Sequence, residues 1–184
     1  DAICFRYFSE YENRYIIGVY DGGTKIFGEN LVEHLNKYYF RDSNSTENKI
    51  DFVICSHPDQ DHASGLAILF QHFKIDKLYM NLPWKYIDEK CTYVNDGRRT
   101  KEGVEKELKE KFQYIRDLEI LASAFGATIM EGFEGTMVSE NIRILSPSKS
   151  FYLDLLIESE KTPFENKNNS IADNLYSKIK AFYN

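Results

Sequence analysis

Short apolar runs that alternate with helical repeats constrain the fold of this chain most strongly. Residues 15–20, 50–55 and 75–80 are rich in β-branched and aromatic side chains and have the length of buried strands. A turn follows each of the first two runs, and it contains glycines in the first case and polar residues in the second. Apolar residues three or four positions apart come next, and this spacing is typical of an amphipathic helix. The alternation predicts an α/β fold.

The remaining elements follow from the same patterns. Residues 2–8 and 15–20 flank a polar stretch and predict a hairpin. Apolar residues at helical spacing predict one long helix over 104–125, and Gly126 is a natural end for it. Two short strands at 127–130 and 141–145 and helices at 150–157 and 171–182 complete the prediction.

Composition excludes several classes of protein. The chain has 184 residues, of which 42% are apolar and 15% aromatic, so it has the material for a packed core. Its 23 basic and 29 acidic side chains give a formal net charge of −6, which argues against capture of nucleic acid across the whole surface. No apolar run is long enough to cross a bilayer and no signal segment precedes the first strand, so we expect a cytoplasmic protein without membrane contact. The widely spaced Cys4, Cys55 and Cys91 are expected to be reduced thiols.

One segment carries residues suited to chemistry. His57, Asp59, Asp61 and His62 lie within six residues, between a predicted buried strand and a predicted helix. Such a set arises by chance about once in several thousand chains of this length. Imidazole and carboxylate groups bind Zn²⁺, Mn²⁺ or Fe²⁺, and a loop at a strand end can turn several side chains toward one point. The alternative is that the two aspartates favour the positive end of the following helix, which leaves both histidines unexplained.

The segment resembles the metal-binding signature of the metallo-β-lactamase superfamily, His-x-His-x-Asp-His, with Asp59 in the slot of the second histidine. In this respect the segment resembles the competence-protein subgroup, typified by the hydrolase domain of bacterial DNA-uptake channels, in which an Asp occupies that slot. The upstream Asp21-Gly22-Gly23 also resembles the strand end of that family. The resemblance implies an αββα sandwich, of which this chain holds mainly the N-terminal half.

The resemblance also implies a role for each of these residues. His57 and Asp59 would hold one divalent ion, while Asp61 and His62 would hold a second. Asp61 would in addition be the catalytic residue that orients the attacking water, and Asp21 would support the metal loop from behind the ligands. Asp21 is otherwise only a turn former before the glycines. The ions would be zinc or manganese, with iron as a further candidate. Asp59 in place of a histidine makes its site harder, which shifts the preference from zinc toward manganese or iron.

The function implied is hydrolysis by a metal-activated water, with a phosphodiester of small-molecule or nucleic-acid type as the substrate. Members of the family complete their site with a later histidine or Gly-Asp, yet this sequence has no histidine after His72 and no Gly-Asp dipeptide. We therefore expect residues 1–184 to be a single domain that is incomplete at its C-terminal end. The alternatives are a degenerate, non-catalytic binding or regulatory module on the same fold, and, among enzymes, thioester hydrolysis or a flavin-linked redox role.

Several residues near the motif have a simpler interpretation. His34 and His72 lie in helical patterns and are expected on the surface. Cys55 precedes the motif and is expected to be a buried, inert thiol rather than a ligand. Trp84 suits either the wall of a cleft or ordinary packing. Gly65, at the start of a helix, is expected to allow that helix a close approach to its neighbour.

Overall fold

The structure, a computed structural model, describes residues 1–41, 48–87 and 100–159. By their contacts the residues form two compact units, one of residues 1–82 and 112–149 and the other of residues 83–111 and 150–184. In the described ranges the first unit has a five-stranded mixed sheet and helices, which confirms the predicted α/β class. That residues 1–184 form one domain stays a prediction. No helix within the described ranges has both the length and the apolar character that a bilayer span needs.

The sheet places its strands in the order of the chain. The first two strands form the predicted antiparallel hairpin, and each later strand pairs parallel to the one before it. Parallel pairing brings the carboxyl ends of neighbouring strands to one edge of the sheet. The strands are β1 (Ile3–Ser9), β2 (Arg14–Tyr20), β3 (Lys49–Ile54), β4 (Lys74–Tyr79) and β5 (Thr128–Met130).

Helices connect the parallel strands, and a further helix follows the last of the described strands. In the described residues they are α1 (Lys25–Tyr38), α2 (Gln60–Ala63), α3 (Leu66–His72), α4 (Lys101–Lys111), α5 (Gln113–Phe125) and α6 (Lys149–Glu158). A 3-10 turn, Pro83–Tyr86, lies in the second unit together with α4 and almost all of α6. In the first unit α3 contacts both α1 and α5, so these three helices form one layer.

Both faces of the sheet are covered. Val19, Val53 and Leu78 lie side by side in register and are fully buried on one face. Their neighbours along the strands point to the other face because side chains alternate in a strand. There Phe52 and Tyr79 pack with residues of a two-stranded ribbon, β6 (Met137–Ser139) and β7 (Ile142–Arg143).

The prediction of one helix over 104–125 is wrong. The chain breaks at Phe112, which has φ −104° and ψ 49°, and this position coincides with a boundary between the two units. Apolar spacing continues across the break, so the sequence pattern contains no sign of it. The predicted end is confirmed, because Gly126 adopts φ 77° and its N–H bonds to the carbonyl of Ala122. Cys91 and the helix predicted at 171–182 lie outside the described residues.

A backbone contact between two glycine positions sets the distance between the end of β2 and the start of α3. The N–H of Gly22 donates to the carbonyl of His62 at 2.8 Å, and the N–H of Gly65 donates to the carbonyl of Gly23 at 2.9 Å. A Cβ atom on Gly65 would lie 1.9 Å from the carbonyl oxygen of Gly22. The close approach predicted for Gly65 is therefore confirmed, and no other residue fits there without movement of the backbone.

We expect Gly65→Ala to lower the free energy of unfolding of the first unit by about 3 kcal/mol, because the clash is with backbone rather than a flexible side chain. Gly132→Ala is the matched control, since its Cβ would meet only Ile144 Cδ1 at 3.6 Å and Asn81 Oδ1 at 4.0 Å. Its effect should stay within about 0.5 kcal/mol. Urea denaturation of both variants measures this, and equal midpoints would contradict the packing described.

Candidate metal centre

Asp21 links the carboxyl ends of two neighbouring strands. It follows β2 directly and adopts φ 57°, a left-handed conformation that Asp tolerates better than most residues. Its N–H donates to the carbonyl of Ile54 at the end of β3, at 2.9 Å. This turn directs the side chain inward, where only 3% of it is exposed.

Three donors surround the buried Asp21 carboxylate. Oδ1 accepts a hydrogen bond from the backbone N–H of Ser56 at 2.8 Å. Oδ2 accepts one from the Ser56 hydroxyl at 2.6 Å and lies 2.8 Å from Nδ1 of His62. A buried carboxylate without partners would cost several kcal/mol, so these bonds hold the loop after β3 and helix α2 against the end of β2.

The same bonds determine which ring nitrogen of each histidine carries a proton. An ionised carboxylate only accepts hydrogen bonds, so His62 donates through Nδ1 and leaves a lone pair on Nε2. The Ser56 hydroxyl has a single proton, which it gives to Asp21, so it accepts from Nδ1 of His57 at 2.7 Å. In their neutral forms both histidines therefore present Nε2 as a ligand atom.

Carboxylate oxygens lie beside both of these nitrogens. Asp61 Oδ2 is 3.5 Å from Nε2 of His62, and Asp59 Oδ2 is 3.7 Å from Nε2 of His57. Two ligands of a tetrahedral zinc ion are about 3.4 Å apart, given bond lengths of about 2.0–2.2 Å. The two imidazole rings are themselves close, with centroids 3.9 Å apart. The donor atoms thus have the separations that ligands of a shared cation have.

The structure brings all five predicted site residues to one edge of the sheet. Asp21, His57 and His62 each offer a ligand atom within 4.8 Å of the others. Asp61 and His62 lie in α2, and Asp59 occupies the position before its first residue. The Asp59 side chain makes no capping hydrogen bond to that helix. Which residues bind metal, and the roles of Asp61 and Asp21, stay predictions.

The neighbouring residues behave as predicted where the structure describes them. Cys55 is buried, and burial raises the pKa of its thiol far above the usual value, with the Asp21 charge adding to the effect, which favours the protonated thiol. His34 and His72 are exposed on helices. Trp84, in the second unit, is buried, which favours the packing interpretation.

Ser56 is a site residue that the sequence did not predict. Its hydroxyl joins Asp21 to His57 and determines the protonated nitrogen of that ring. Its position directly between the buried strand and the first histidine is the only signal in the sequence. That signal is weak, because serine is common at strand ends.

Comparisons with known proteins identify no relative. No family model matches the sequence, no curated protein matches it, and no solved structure matches the fold. The interpretation of the site therefore depends on its own geometry and on the resemblance of the motif.

We expect Asp21→Asn to lower the free energy of unfolding by about 2–3 kcal/mol, because the amide NH₂ would face donors in a buried site. It should also remove the acceptor that keeps the proton of His62 on Nδ1. The ¹⁵N chemical shifts of the ring report directly which nitrogen carries the proton. Asp61→Asn is the matched control, since 64% of the Asp61 side chain is exposed. Its effect on stability should be below about 0.5 kcal/mol. Unchanged His62 shifts in Asp21→Asn would contradict the hydrogen-bond assignment.

Proposed function

We propose that this chain is a metal-dependent hydrolase that acts on phosphodiesters. The observation that carries the proposal is the pairing of each histidine Nε2 with a carboxylate oxygen, at 3.5 Å and 3.7 Å, in residues that share one loop and one short helix. Two acceptor atoms at that distance repel each other, and a cation between them removes that repulsion. A divalent ion bound at each histidine–carboxylate pair would do this at neutral pH.

Four side chains are proposed as ligands. His57 and Asp59 would hold one ion, and Asp61 and His62 would hold the other. Mixed nitrogen and oxygen donors suit zinc or manganese, and iron to a lesser degree. Asp21 would keep Nε2 of His62 available by accepting the proton of Nδ1, which is the usual task of a carboxylate behind a histidine ligand.

When bound, divalent ions acidify water and stabilise negative charge on phosphoryl oxygens. The protein's own groups would position the reactants. Asp61 reaches solvent, and its carboxylate can accept a hydrogen bond from the attacking water and orient it. The rigid ring of His62, fixed by Asp21, would keep the adjacent carboxylate in place.

The arrangement of the chain supports this proposal. The metal loop follows a parallel strand, and ligand sites of α/β sheets lie at the carboxyl ends of such strands. A helical layer on one face and a β ribbon on the other are what we would expect of the N-terminal half of an αββα sandwich. We therefore include the metallo-β-lactamase fold in the proposal.

The substrate is proposed to be a small phosphodiester or a short nucleic-acid segment. A formal net charge of −6 disfavours long polyanions, whose affinity depends on many basic contacts. The free thiols of Cys4 and Cys55 favour a reducing compartment, and we propose the cytoplasm.

Metal binding and hydrolysis should depend on the same residues. Equilibrium dialysis of the full-length protein against Zn²⁺ or Mn²⁺, followed by elemental analysis, should give two ions per molecule. His62→Ala and Asp61→Ala should each weaken binding at least about 100-fold, because each removes a ligand. Both should also abolish hydrolysis of bis(p-nitrophenyl) phosphate.

His72→Ala is the matched control, since this histidine is exposed at the end of α3 and should change neither metal content nor rate. Equal activity in the wild type and both ligand variants would refute the hydrolase. Absence of stoichiometric metal in the wild type would favour the non-catalytic module instead.

A further inference from the structure

A cavity of about 360 Å³ lies in the first unit, beside the candidate metal centre. One wall is formed where β2, β3 and β4 end, by Tyr20, residues 54–56 and residues 79–81. The facing wall comes from residues 142–147, in β7 and the segment after it. The cavity is within the usual size range of small-molecule sites, and it is large enough for one aromatic ring and its substituents.

The walls are mostly apolar and include flat rings. Phe5, Tyr20 and Tyr79 line the cavity together with aliphatic side chains such as Ile144. The hydroxyl of Tyr79 already donates to the carbonyl of Val138 at 3.3 Å, so this residue presents its ring rather than a donor. Such a surface favours a flat, apolar group.

Arg143 is the one charged residue among the described residues that line the cavity. It is exposed, and no carboxylate contributes to the walls. A guanidinium group pairs readily with phosphate or carboxylate oxygens because its N–H groups match their geometry. The charge of the cavity therefore favours an anion.

Ser56 connects this cavity to the candidate metal centre. It lines the cavity, and its hydroxyl bonds to both Asp21 and His57. A ligand in the cavity would therefore lie next to Ser56, and Ser56 directly precedes His57, the first proposed metal ligand. Ser56 thus belongs to both sites.

We infer that this cavity is the recognition site for the flat, apolar substituent of a phosphoric ester, such as an aryl group or a nucleobase, and that Arg143 pairs with the negative charge of the ester. The inference names the substrate class of the proposed hydrolase and depends on that function for its catalytic meaning. Binding itself requires only the cavity and Arg143, so it can be tested without metal.

Phenyl phosphate and methyl phosphate are suitable probes, used with the whole chain in the presence of a chelator. Titration followed by methyl NMR should show phenyl phosphate binding about tenfold more tightly, because only its ring fills the cavity. The methyl signals of Ile54, Ile142 and Ile144 should shift, whereas those of Ile68 and Ile115, buried in helices away from the cavity lining, should not.

Arg143→Ala should weaken phenyl phosphate binding about tenfold, and Arg143→Lys should recover part of the loss. Arg116→Ala is the matched control, because it removes the same charge from the exposed face of α5, where Arg116 pairs with Asp117. Equal binding of both probes, or equal effects of the two alanine variants, would overturn the inference. A wild-type chain that binds phenyl phosphate in the presence of chelator but hydrolyses no phosphodiester with metal would refute the proposed hydrolase alone, so failure of that function and failure of this site are distinguishable.

Discussion

The buried carboxylate of Asp21 is the interaction on which the candidate site depends. Its charge is stable in the interior only because Ser56 and His62 supply three donors from two different segments. Removing any of them leaves part of that charge unpaired, which is expensive in a low-dielectric environment. The loop after β3 and helix α2 are therefore held in one arrangement before any ligand binds.

That arrangement requires the backbones to approach closely. Gly22 and Gly65 meet without side chains, and hydrogen bonds from Gly22 to His62 and from Gly65 to Gly23 join the two segments. The glycines thus have a positional role that complements the electrostatic one of Asp21.

Cavity and candidate metal centre share one edge of the sheet for a topological reason. Parallel strands in the order of the chain carry the residues that follow β2, β3 and β4 to the same side. The ribbon of β6 and β7 covers the adjacent face and brings Arg143 to the cavity. Recognition of an apolar group and chemistry on its ester could then occur without movement of the chain.

Much of the fold could be predicted, because the spacing of apolar residues along the chain shows which face of a helix or strand is buried. The hairpin, the strands near residues 50 and 75, and the end of a helix at Gly126 agree with the structure. The break at Phe112 was not predictable, because the apolar residues keep their spacing through it. The strand at Met137–Ser139 was not predicted either.

The sequence by itself determined which donor groups lie together, because His57, Asp59, Asp61 and His62 are neighbours in the chain. Only the tertiary structure decided how they are oriented. Asp21 reaches His62 across 41 positions, and Arg143 reaches the cavity from the ribbon of β6 and β7, far along the chain from the strand ends that form the other wall. The physical reason is that local patterns encode which face of an element is buried, whereas hydrogen-bond partners distant in sequence are chosen by strand pairing and close packing.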